Sequence, residues 1–131
     1  MPLADLCKRY LAALNDGDLD AVLALFTPDA GVVSPLYGVK PATQFYRELF
    51  ADTSRSQTRL LNVFLPQDNA PSVALHFRYD WTLANGQPVS FECVDVFELD
   101  TARTHFSKLT IIYDTAPLRA DFAASRAASG N

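Results

Sequence analysis

The chain has 131 residues, 49% of them hydrophobic and 20% charged, with a formal net charge of −4. That is ordinary globular composition and enough chain for one hydrophobic core, so wholesale disorder is excluded and a single domain over residues 1–131 is expected. The eleven Lys and Arg are scattered through an acidic chain, which leaves no basic footprint for nucleic acid, and no apolar run approaches membrane-spanning length.

The N-terminus, MPLADLCKRY, turns amphipathic at once, without the long apolar core of a signal peptide, and a cytoplasmic protein is expected. Leu3, Leu6, Cys7, Tyr10, Leu11 and Leu14 recur at helical spacing. The turn NDGD separates them from a second periodic set, Leu19, Val22, Leu23 and Phe26, with Asp18 as its cap and Pro28 as its stop. A brief extended piece, GVVSPLYG, follows. Pro41 suits the first turn of a third helix, whose Ala42, Phe45, Tyr46 and Leu49 line one face and which ends near Asp52.

From Ser56 onward the period changes to two. RLLNVFL, SVALHFRYDWTL, PVSFECVDVFEL and HFSKLTIIYD read as four strands of an antiparallel meander. The tail, about residues 117–131, adds a helical turn and then frays. The expected fold class is therefore α+β: a cone-shaped, curved antiparallel sheet with the N-terminal helices packed over its concave face. Val94, Val96, Leu60, Phe64 and Ile112 lie opposite the sets turned inward, so a second apolar surface needs cover. A homodimer through the outer sheet face supplies it; the alternative is that the tail folds back over it.

Asp95 stands out in VSFECVDVFEL. Alternate residues of a strand share a face, so it points with Val89, Phe91, Cys93, Phe97 and Leu99 as the single charged group on the oilier side. A carboxylate there is costly to desolvate unless it is paired, hydrogen-bonded or protonated. The cysteines, Cys7 and Cys93, lack metal-ligand spacing and read as small buried hydrophobes. There is no Gly-rich phosphate loop or nucleophile elbow, and the carboxylates of NDGDLD read as capping and turn chemistry, so neither metal nor cofactor is expected.

The segments RYLAALNDGDLDAVLALFTPDAGVVSP, YRELF and VDVFELD resemble matching segments of the bacterial ketosteroid isomerases, within the nuclear-transport-factor-2-like superfamily that includes the SnoaL-like polyketide cyclases. The resemblance covers roughly residues 5 to 115 and implies an apolar pocket for a carbonyl-bearing small molecule. It puts Tyr10 on the family's oxyanion tyrosine and Asp95 on its protonated oxyanion aspartic acid, the catalytic pair. Ketosteroid isomerase is itself the standard example of a carboxylic acid held neutral by an apolar site. The general-base aspartate of the family falls on Ser34, and the tyrosine that supports the oxyanion tyrosine falls on Phe50. Ser34, Phe50, Phe97 and Tyr113 complete the expected ligand-binding set. A serine has no useful basicity near neutral pH, so the proton carrier of the family is missing. Two readings of Asp95 stand side by side: a neutral donor to a ligand oxygen, or a buried acid satisfied by Tyr10 or another donor.

Loop parity bears on whether His76 joins the pocket. A two-residue turn at Asn85 and Gly86 sets His76 opposite Asp95, whereas a three-residue loop, Asn85 to Gln87, sets Phe77 there and joins apolar face to apolar face. The hydrophobic pattern favours the odd loop, with His76, Arg78 and Asp80 outside.

Overall fold

The computed structural model describes residues 3–129. Helix α1 (Leu3–Asp16) is amphipathic and buries Leu6, Cys7, Tyr10, Leu11 and Leu14. It ends where Gly17 takes φ +63°, and the amides of Gly17 and Asp18 reach back to the carbonyls of Leu14 and Ala13, the usual glycine closure of a helix. Asp18 then caps the short helix α2 (Leu19–Leu23) by accepting from the Ala21 amide.

Helix α2 is shorter than its sequence pattern suggests. Phe26 opens strand β1 (Phe26–Ser34), so Pro28 lies within a strand. It is tolerated because the pairing of β1 skips from Phe26 to Gly31 there, and a missing amide costs no ladder bond. Strand β2 (Gly38–Pro41) returns antiparallel to β1 and delivers Pro41 as the residue that enters helix α3 (Ala42–Ala51).

Strands β3 (Thr53–Phe64), β4 (Ser72–Leu83), β5 (Pro88–Leu99) and β6 (Phe106–Ile112) form the expected meander. The six-stranded sheet runs β2-β1-β6-β5-β4-β3, and every pair is antiparallel except β1 with β6. The architecture is α+β as expected, with that one parallel pair added because the last strand slots in beside the first. The inner face of β4 (Val73, Leu75, Phe77, Tyr79, Trp81, Leu83) joins the buried faces of α1 and α3 in one core.

The β4–β5 loop has odd parity, but its register differs from expectation by two residues. Leu75, not Phe77, faces Asp95; Phe77 faces Cys93, Tyr79 faces Phe91 and Trp81 faces Val89. The turn closes at Ala84–Gly86: the Leu83 amide donates to the Gln87 carbonyl, Gly86 adopts φ +91°, and Asn85 accepts from the Gln87 amide. His76 faces Val94 and meets Asn62 and Glu92. A shift in pairing between Leu60 and Asn62 flips the strand, so that Leu60 packs toward the core while Phe64 stays outside, stacked on His76. Such a bulge reverses side-chain parity within one strand.

The tail forms a ten-residue helix, α4 (Arg119–Ala128). Phe122 lies against Trp81 and Tyr37 at ring-centroid distances of 5.9 and 5.4 Å, and Arg126 binds Asp52. This places α4 on the cavity side of the sheet, so it does not cover the outer face. Gly130 and Asn131, the end of the expected tail, lie outside the described residues.

Candidate functional site

Asp95 is 2% exposed. It projects from the inner face of β5 into a cavity shared with Tyr10, Leu14, Ser34, Tyr37, Phe45, Leu49, Phe77, Tyr79, Trp81, Phe91, Cys93, Ile111 and Tyr113. The cavity and its mouth enclose about 440 Å³ free of atoms, yet the centre of a water molecule has only about 40 Å³ to move in. It is a narrow slot walled mainly by aromatic rings. Tyr37, Phe91, Ile111 and Tyr113 are its half-buried members and edge its open side.

Among the described residues the only hydrogen-bond partner of the Asp95 carboxyl is the Cys93 thiol, 3.8 Å away. Burial pushes the carboxyl pKa up to about 8, against a smaller opposing effect of that thiol. Asp95 is therefore predominantly protonated at neutral pH, and a protonated carboxyl donates a hydrogen bond.

Tyr10 reaches the cavity from α1, and its hydroxyl lies 2.7 Å from that of Tyr46 on α3. Burial above all holds both phenols well above the ordinary tyrosine value; Tyr46 and then Asp95 push Tyr10 further up, whereas for Tyr46 the hydrogen bond with Tyr10 works in the opposite direction and Asp95 adds to the rise. Tyr46 is fully buried and does not line the slot, so when it donates to Tyr10 the Tyr10 proton is free to point into the cavity. Tyr10 and Asp95 make no hydrogen bond with each other; they share a cavity and are not a mutually satisfied pair. The support from the third helix comes from Tyr46, one turn before Phe50, the position that the family resemblance implied. In an α-helix residues four apart share a face, and it is the earlier one whose hydroxyl meets Tyr10.

Ser34 lines the slot and is 5% exposed. Its Oγ accepts from the amides of Leu36 and Tyr37 at 3.2 and 3.1 Å, which closes the turn between β1 and β2. Tyr113, just past β6, lines the open side and stacks on Phe91 with centroids 4.3 Å apart. Phe97 and Phe50 stand apart from the slot. Phe97 stacks on Phe106 at 3.9 Å and abuts the Tyr10 ring at 5.1 Å, as packing behind the tyrosine. Phe50 touches Tyr46 and borders a separate polar groove with Asn15, Gly17 and Arg55.

Sequence reasoning missed Tyr46 as the partner of Tyr10. It also missed Tyr79, whose hydroxyl meets Ser56 Oγ at 2.7 Å on the cavity wall, although its inward parity on β4 was a usable signal. Nothing local marked Asp52, which accepts from Tyr37 at 2.6 Å and from Arg126 at 2.9 Å. Among the described residues no cluster of His, Cys, Asp and Glu is arranged to hold a metal, and no helix is long and apolar enough to cross a membrane.

Residues 7–104 match the SnoaL-like domain. The chain belongs to the SnoaL-like domain family. Solved structures agree with this SnoaL-like fold. A putative polyketide cyclase from Xanthomonas campestris pv. campestris superposes with a TM-score of 0.74 at 19% identity, covering 91% of this chain and 95% of that one. A ketosteroid isomerase-like fold protein from Catenulispora acidiphila, in complex with trimethylamine, gives a TM-score of 0.75 at 11% identity over 91% and 92%. TerC, co-crystallized with polyporic acid, gives 0.76 at 16% identity over 94% and 99%. At these identities the likeness establishes the fold of the SnoaL-like chain and leaves its chemistry to its own cavity.

Proposed function

We propose that this SnoaL-like domain binds a flat, apolar, carbonyl-bearing small molecule and hydrogen-bonds its oxygen through neutral Asp95 and Tyr10. The observation that carries the reading is a buried carboxyl facing a cavity with only a weak thiol partner. Two such donors stabilise negative charge developing on a carbonyl oxygen, the requirement of enolisation, isomerisation or cyclisation at a carbon beside that carbonyl. The putative polyketide cyclase among the structural neighbours supports the same class of chemistry. The test is titration of an equilenin-like phenolic fluorophore. Asp95→Leu weakens binding about tenfold or more, the worth of one hydrogen bond in an apolar site; equal affinity removes the oxyanion reading.

A second reading, a ligand-binding module that catalyses nothing, is favoured by one specific observation: the Ser34 hydroxyl is already engaged by two turn amides. A carboxylate at that position accepts the same amides, as Asp does in Asx turns. Ser34→Asp therefore keeps the turn and installs a base. With a β,γ-unsaturated ketone as substrate, turnover only in Ser34→Asp identifies the native chain as a binder, whereas turnover by the native chain identifies a proton carrier within it.

The reading also includes a homodimer through the outer sheet face. There Phe64 and Ile112 are 52% and 55% exposed beside the half-buried Val94 and Val96.

A further inference from the structure

Helix α4 lies past residues 7–104, the stretch that matches the SnoaL-like domain, and it is fastened unlike the other elements around the slot. Strands β4, β5 and β6 are bonded to one another along their length, and α1 and α3 are sunk in the core through Leu6, Tyr10, Leu14, Phe45, Tyr46 and Leu49. Among the described residues α4 shares no backbone-to-backbone hydrogen bond with the rest of the chain. Its holds are side chains.

They reach the turn after β1, the β4–β5 turn and the end of α3. Arg119 donates to the Pro35 carbonyl at 3.4 Å, Ser125 Oγ accepts from the Asn85 amide at 3.2 Å, and Arg126 donates to Asp52 at 2.9 Å with Glu48 3.7 Å away. Phe122 rests against Tyr37 and Trp81, which line the slot, without lining it itself. The helix thus backs one wall from outside. Its pivot is marked too: Leu118, 2% exposed, belongs to the core, whereas α4 beyond it buries only Ser125.

The slot as it stands is smaller than the ligand proposed for it. The centre of a water molecule has about 40 Å³ to move in, against the roughly 300 Å³ or more of pockets that take small molecules. A wall must yield before a ring system enters, and the wall with the least to break is the one that α4 backs.

We infer that α4 is a gate: pivoting at Leu118, it withdraws Phe122 from Tyr37 and Trp81 and lets that wall open, with the Arg126–Asp52 contact as its latch. The Tyr37 hydroxyl, which donates to the same carboxylate at 2.6 Å, keeps Asp52 from being stranded when the latch releases. That the opening admits a ligand rests on the slot being the ligand site, as proposed above; the motion itself does not.

The two buried cysteines separate this motion from unfolding, because Cys93 lines the slot and Cys7 does not. Iodoacetamide labelling in zero to 1 M urea is read peptide by peptide by mass spectrometry. A gate exposes little surface, so Cys93 labelling rises only shallowly with urea, while Cys7, which waits for wider unfolding, rises steeply. Arg126→Ala speeds Cys93 labelling about fivefold at the same shallow slope, the worth of a partly exposed ion pair. In stopped flow the equilenin-like fluorophore enters and leaves this variant about fivefold faster at unchanged Kd. One steep slope shared by both cysteines, or native labelling and fluorophore rates in Arg126→Ala, overturns the gate and leaves the oxyanion reading standing. A native chain whose Cys93 labels as expected but which never binds the fluorophore keeps the gate and loses the ligand.

Discussion

Asp95 takes up a proton when the chain folds, and that single event ties stability, ligand binding and pH together. Its ordinary carboxyl value is 3.8 and the folded value is about 8. Between those limits the native state holds a proton that the unfolded state lacks, so this contribution is full below about pH 4 and is lost as pH rises through about 8. Its total is on the order of 5 kcal/mol. Asp95→Asn removes the titrating group. In urea melts at pH 5.5, 7 and 9 the native chain weakens steeply with rising pH and the variant much less; parallel curves would mean that the carboxyl never leaves water. The same proton governs binding: affinity for a neutral ketone stays flat below about pH 8 and falls about tenfold per pH unit above it, as the donor is lost. Asp95 was legible in the sequence because strand alternation alone exposes a charge on an apolar face. The Tyr46 hydroxyl was not, because its meeting with Tyr10 joins residues 36 apart in the chain through the packing of two helices.

At the scale of the element, α4 is tied to the body of the fold by a buried acid, beside the ring contacts of Phe122 and the Ser125 hydroxyl that accepts from the Asn85 amide. Asp52, 7% exposed, accepts from Tyr37 and from Arg126, whose guanidinium also lies over the Tyr37 and Phe122 rings at 5.4 and 4.9 Å. Because Tyr37 edges the cavity, this knot fixes one side of the slot and the helix outside it together. Arg126 is partly exposed, so Arg126→Ala costs about 1 kcal/mol. Asp52→Ala strands the Tyr37 hydroxyl as well and costs about 2 to 3 kcal/mol. The double variant costs no more than Asp52→Ala alone, since both changes break one network; additive losses in chemical denaturation would show that the two residues act separately. Periodicity hid α4. RADFAASRAA carries Phe122 as its single large apolar side chain, so no apolar stripe announces a helix that is held instead by a guanidinium and ring contacts. The β4–β5 register slipped for a comparable reason: the pattern fixes parity, but a glycine at φ +91° decides at which residue the turn closes.

For the whole molecule, the sheet has one face committed to the helices and the slot, and another that a single copy leaves uncovered. On that outer face Phe64, Ala74, Val94, Val96 and Ile112 form an apolar field. Around it charges of both signs sit in adjacent pairs, Arg78 with Asp80 and Lys108 with Glu98, and the His76 ring meets the Glu92 carboxylate. A rim of mixed sign lets two copies of a chain with net charge −4 approach here without the repulsion that its overall charge imposes elsewhere. A two-fold contact also sets each apolar group against an equivalent surface. The expected assembly is a homodimer in sedimentation equilibrium at micromolar concentration. Ile112→Lys places a charge on this exposed apolar field, twice in a two-fold dimer, and is expected to weaken association by about a hundredfold. The slot lies on the opposite face of the sheet, so the variant still binds the phenolic fluorophore with native affinity. A native chain that stays monomeric at high concentration rules out this use of the outer face, and Ile112→Lys losing fluorophore binding along with association would show that the slot takes its shape from the dimer.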